Sequence, residues 1–129
     1  MVLNLEPFTA FGDLAFSLSV EDLVARLGPP NRCSRNNVAL NEYDYGHRVL
    51  RFQDNGRLEE ITQRAPVLQL DTVVIPFAAL AGFVLEQDAE TFERAGFLVS
   101  PAFGIAFVPG QPDWVTALAR HCIPTWRTL

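Results

Sequence analysis

Hydrophobic and polar positions alternate most clearly between Tyr43 and Gln63. Val49 and Arg51 fall on one face of an extended segment, and Leu50 and Phe52 fall on the other. Gln53-Asp54-Asn55-Gly56 follows as a tight turn, because Asn55 and Gly56 tolerate the positive φ that hairpin turns require. The return strand runs over Leu58–Thr62. Its alternation is imperfect: strict period two puts Leu58, Glu60 and Thr62 on one face and Glu59 and Ile61 on the other. On that pattern Glu59 and Glu60 belong to opposite sheet surfaces.

The remaining pattern predicts the neighbours of this hairpin. Leu14, Phe16 and Leu18 share a face of a first strand. Ser19 is placed as an N-cap with Asp22 at the capping-box distance, and Val20, Leu23, Val24 and Leu27 form an apolar helix face. Gly28 and Pro29-Pro30 stop that helix. Residues 31–41 read as loop, Glu42–Tyr45 and Arg48–Phe52 as strands, and Val67–Val74 as an edge or second hairpin. A helix starts at Pro76, a shorter one covers Asp88–Ala95, and strands follow at Phe97–Val99 and Ile105–Val108. Asp113 is expected to cap a last helix over Trp114–Arg120, with Pro124 ending it. The fold class expected is α+β: a single compact domain over 1–129, with a central antiparallel sheet and two to four helices packed on one side. The recurrence of helix, glycine and strand also raises an internal duplication, with halves near 13–74 and 76–122.

Composition narrows the functional classes. The chain has 129 residues, 49% of them hydrophobic, enough for one sizeable core. Its net charge is −5. With no lysine and only scattered arginines, it lacks the basic stripe a nucleic-acid partner calls for. The missing lysines fit a GC-rich bacterial coding background. No apolar run is long enough to span a bilayer and no export signal opens the chain, so the expectation is cytoplasmic, with no membrane partner. Cys33 and Cys122 read as two free thiols.

Candidate chemistry is sparse. His47 stands beside a turn and His121 beside Cys122; a metal site needs at least three converging ligands, so no metal and no cofactor are expected. Adjacency does not make Cys122 and His121 a catalytic dyad, no catalytic residue is assigned, and an enzyme is the third choice. Tyr43, Tyr45, Arg57 and Glu59 are the partner-binding candidates, since tyrosine and arginine concentrate binding energy at interfaces. Ser19, Gly28, Asn55 and Gly56 are the structural caps and turn.

The segments LSVEDLVARLGPP and YDYGHRVLRFQDNGRLEEI, within residues 19–61, resemble bacterial SmpA/OmlA and beta-lactamase-inhibitor-like modules. There a short helical region ending near Leu-Gly-x-Pro precedes an antiparallel sheet. Small acidic cytosolic immunity proteins resemble the same general form. The resemblance implies a non-catalytic protein-binding domain that neutralises a toxin by occlusion, with a protein toxin or other protein as partner and a homodimer as a further candidate. The alternative is a small-molecule-binding regulatory domain, marked by an apolar cavity with a few convergent polar groups.

Overall fold

In a computed structural model, which describes residues 2–129, the hairpin centred on Asn55-Gly56 lies inside an eight-stranded antiparallel sheet. The strands in chain order are β1 (Val2–Glu6), β2 (Ala10–Phe11), β3 (Leu14–Ala15), β4 (Arg32–Arg35), β5 (Asn41–Asp44), β6 (Arg48–Phe52), β7 (Leu58–Arg64), β8 (Val67–Leu70), β9 (Val73–Pro76), β10 (Phe92–Arg94), β11 (Phe97–Ser100), β12 (Ile105–Phe107) and β13 (Trp114–Leu118). The helices are α1 (Val20–Leu27), α2 (Phe77–Gln87) and α3 (Ile123–Thr128), the last preceded by a 3-10 turn at Arg120–Cys122. The larger sheet has the order β10-β11-β12-β13-β7-β6-β5-β4, and a five-stranded sheet has the order β3-β2-β1-β8-β9. Among the described residues, only the β1–β8 pair is parallel. The class is therefore α+β, with a central, mostly antiparallel sheet.

Leu50, Phe52, Ile61, Phe107, Val115 and Ala117 point from the larger sheet into the main core. They meet Leu5, Phe11, Leu14 and Leu68 of the smaller sheet, Leu23 of α1, and Phe77, Leu80 and Val84 of α2. The alternate positions Val99, Ala106 and Leu118 pack with Ile123 and Trp126 of α3 in a smaller cluster.

Local chemistry accounts for the ends of the first helix and the central turn. Ser19 Oγ accepts from Asp22 N at 3.1 Å, and the Asp22 carboxylate accepts from Ser19 N at 3.4 Å. Gly28, at φ 78°, donates its N–H to Val24 O. At the hairpin, Gly56 takes φ 88° and Asn55 Oδ1 accepts from Arg57 N at 2.9 Å.

Five expected elements differ. The strand expected to carry Leu14, Phe16 and Leu18 is only Leu14–Ala15, third in the chain, with Phe16 in the turn that follows. Trp114–Leu118 is a strand rather than a helix, paired on both sides by β12 and β7. Val115 through Leu118 are all buried, so this run carries no period-two signal and imitates a helix face. Pro124 does not stop a helix: it sits in the first turn of α3, where its missing N–H has no cost. Asp88–Ala95 is not helical. The Asp88 carboxylate accepts from Ser100 Oγ at 2.7 Å, Ala102 N at 2.9 Å and Glu90 N at 3.0 Å. The Glu90 N bond is a local alternative to helix, the other two tie Asp88 to the end of β11 and the turn after it, and Phe92–Arg94 pairs as a strand instead. Finally, Arg32–Arg35, within the expected loop, is an exposed edge strand whose composition gives no apolar alternation.

Candidate functional site

The site starts from an irregularity in β7. Arg51 opposes Glu60, but Phe52 opposes Leu58, so Glu59 is an extra residue in the β6–β7 ladder. Leu58 and Ile61 both enter the main core, and Glu59 and Glu60 both line a cleft of about 690 Å³. The expectation that these two carboxylates occupy opposite sheet surfaces is overturned. One inserted residue breaks strict alternation and turns both to the same side. The signal was present in the sequence as the Leu58-to-Ile61 spacing of three, where an uninterrupted strand would repeat every two.

The chain then folds back over this bulge. The Glu59 carbonyl accepts from Ala119 N at 2.9 Å, which fixes the exit from β13. The following 3-10 turn brings His121 and Cys122 to the Glu59 side chain. Glu59 is 1% exposed. Its Oε1 accepts from Arg57 Nε at 3.0 Å. Its Oε2 touches His121 Nε2 and lies 3.2 Å from Cys122 Sγ. His121 is the more open partner, its side chain 39% exposed.

Beside this cluster runs a polar ladder dictated by strand register. Glu42 opposes Arg51, Arg51 opposes Glu60, and Thr62 opposes Thr116. Arg51 Nε donates to Glu42 at 2.7 Å, while Nη1 donates to Thr62 Oγ1 at 2.7 Å and reaches Glu60 at 3.5 Å. Thr62 and Thr116 hydroxyls bond at 2.8 Å. Trp126 Nε1 donates to the second Glu60 oxygen at 3.2 Å. Apolar walls complete the cleft: Val38, Leu40, Phe97 and Trp126. The Phe97 and Trp126 rings meet edge to face at 5.2 Å.

Burial sets the electrostatics. It raises the Glu60 carboxyl above the ordinary range, with Arg51 and the Trp126 N–H opposing and the Glu59 and Glu42 charges reinforcing. Burial also pushes the Cys122 thiol far up, aided by its bond to Glu59 and by the Glu59 and Glu60 charges. A thiol held in that form is a poor nucleophile, so the Glu59-His121-Cys122 grouping does not have the electrostatics of a cysteine-enzyme site.

The expected partner-binding residues divide. Arg57 and Glu59 line the cleft, and the Arg57 side chain is 53% exposed. Tyr43 and Tyr45 are half-buried against the main core. Tyr43 packs edge to face on Phe52 at 5.4 Å, and Tyr45 donates its hydroxyl to Gly28 O at 2.9 Å. Tyr45 thus ties the turn after β5 to the first helix's end, Tyr43 packs on the core face of the sheet, and neither lines the cleft. Adjacent His121 and Cys122 do converge on a third ligand-type group, contrary to expectation, because the 3-10 turn directs both toward Glu59. That contact spans more than sixty positions of chain, beyond the reach of local spacing. Cys33, on the exposed edge strand, and Cys122 are both free thiols.

No family model, curated protein or solved structure matches the chain. The resemblance noted over residues 19–61 stands on its own residues alone. Among the described residues, no helix is long and apolar enough to cross a membrane.

Proposed function

We propose that this chain is a small-molecule-binding domain whose ligand occupies the cleft over the β7 bulge. The observation that carries this reading is the cleft itself: about 690 Å³, with an aromatic and aliphatic wall and charged groups converging at one end. That size and mixture suit a compact organic ligand. Trp126 and Phe97 offer an apolar surface, and the Glu59 and Glu60 carboxylates offer acceptors. These favour a ligand with an apolar body and a donor-rich head such as an amine or hydroxyl group.

The reading is tested by incubating the protein with a metabolite mixture, separating bound from free material and identifying what is retained by mass spectrometry. A retained compound is then titrated against the parent and Trp126→Leu, which keeps an apolar side chain but removes the ring and its N–H. We expect about tenfold weaker binding in the variant. Retention of nothing, or equal affinity in both proteins, contradicts the proposal.

Arg57 supports a second reading. A half-exposed guanidinium at the edge of a cleft is available to a carboxylate of a protein partner, as toxin neutralisation by a cytosolic immunity protein would require. Native mass spectrometry with a toxin encoded beside this chain tests it: a complex weakened by Arg57→Ala supports the reading, and the absence of any complex sinks it.

A further inference from the structure

We propose that Glu59, His121 and Cys122 form a three-ligand site for a zinc-class divalent transition metal, with its fourth coordination position open to the cleft. The donor atoms of all three residues lie within 4.8 Å of one another. They come from two distant segments, brought together by the bulge in β7 and the turn after β13. In a tetrahedral site with ordinary zinc–oxygen and zinc–sulfur bonds, an oxygen and a sulfur ligand stand about 3.6 Å apart. Glu59 Oε2 and Cys122 Sγ are 3.2 Å apart. The remaining edges adjust through the His121 ring, which reaches solvent and is the least confined of the three.

The donor chemistry selects the ion class. One carboxylate oxygen, one imidazole nitrogen and one sulfur suit zinc and its neighbours, whereas magnesium and calcium favour all-oxygen shells. The surroundings also suit a dication. Glu42, Glu59 and Glu60 bring three carboxylates to the cleft, against the guanidinium groups of Arg51 and Arg57. Arg57 holds the Glu59 oxygen that faces away from the cysteine, and Ala119 N holds the Glu59 carbonyl, so an outer layer already orients the carboxylate. On coordination, sulfur binds as thiolate and its proton passes to the buffer. Three protein ligands leave a position for water or for a donor atom of a cleft ligand, the pattern of open rather than purely structural zinc sites.

The site is tested on the full chain, freed of metal by chelator dialysis and titrated with zinc or cobalt ions alone. We expect one ion per chain and, with cobalt, a thiolate-to-metal charge-transfer band in the near ultraviolet. Cys33→Ser should retain both. Cys122→Ser should lose the band. His121→Gln should weaken binding more than about a hundredfold, beyond the loss of an outer-layer partner, with an unchanged far-ultraviolet circular dichroism spectrum. If Cys122→Ser fails to fold, His121→Gln carries the test, since its ring is partly solvent-exposed. No bound ion in the parent, undiminished binding in His121→Gln, or dependence on Cys33 overturns the proposal. No organic ligand enters this titration, so its failure leaves the cleft's small-molecule reading standing, and a failed metabolite screen leaves the metal site standing.

Discussion

The two faces of the central sheet solve opposite problems at the same strands. On one face Leu50, Ile61, Val115 and Ala117 enter a continuous apolar core shared with the smaller sheet, α1 and α2. On the other, their sequence neighbours Arg51, Glu60, Thr62 and Thr116 form a hydrogen-bonded polar ladder bordering an open cleft. The first face is held by area removed from water, which is non-directional. The second is held by geometry, because a partly buried charge is tolerated only with its partners in place. The rigid face thus fixes strand register, and register in turn sets what meets across the polar one.

Substitutions should separate the two faces. The largest effect is expected for Ile61→Ala, which opens a cavity in the apolar core and should lower unfolding free energy by about 3 kcal/mol. Denaturant melts measure it; a loss below about 1 kcal/mol would mean that this face is not the stabilising one. Arg51→Met removes the shared cation of the ladder and leaves Glu42 and Glu60 without it. Because Arg51 retains 20% side-chain exposure, the expected cost is about 2 kcal/mol, less than for a fully buried pair. Recovery on adding Glu42→Gln and Glu60→Gln to Arg51→Met would show that the cost was uncompensated charge and not lost packing.

Gly56→Val acts on the turn that keeps both faces in register. A Cβ added there meets nothing within 4 Å. The cost is therefore backbone conformation alone, about 1 kcal/mol or somewhat more for a β-branched residue. Calorimetry should find the fold retained with a lowered melting temperature; an unchanged temperature contradicts the turn geometry.

The smallest effect concerns pH. Glu60 has its carboxyl raised in the folded state, so the folded chain holds that proton more tightly than the unfolded one. The associated stability is fully present below the unfolded carboxylate range and is lost as pH rises through the folded value. Glu60→Gln has no such loss. The stability of the variant relative to the parent should rise as pH increases from below to above the ordinary carboxylate range. A falling difference over that interval would place Glu60 in an environment that favours its charge.

These predictions also mark where sequence pattern was informative. The Asn55-Gly56 hairpin and the Ser19-to-Gly28 helix were legible because their determinants lie within a few residues of each other. Trp114–Leu118 was not, because a strand buried on both faces loses its alternation. The cleft was harder still. It depends on one extra residue in β7 and on a contact between mid-chain Glu59 and a turn more than sixty positions later, and neither has a local signature beyond the Leu58-to-Ile61 spacing. Tyr43 and Tyr45 resembled recognition residues by type, yet their rings lie against the core and one hydroxyl already has a backbone partner.

The bulge at Glu59 is the claim on which the cleft, the ligand reading and the metal site all depend, and Cys122 reports on it directly. Its thiol is held protonated by burial and, next, by the Glu59 carboxylate. Alkylation of Cys122 and Cys33 in the metal-free protein, followed by peptide mass spectrometry, gives both rates in one sample. In the parent, Cys122 should react at least about tenfold more slowly than exposed Cys33. In Glu59→Gln the Cys122 rate should rise severalfold while the Cys33 rate stays constant. If Glu59→Gln leaves the Cys122 rate unchanged in a folded protein, Glu59 does not face Cys122 and the bulge is not where this account places it.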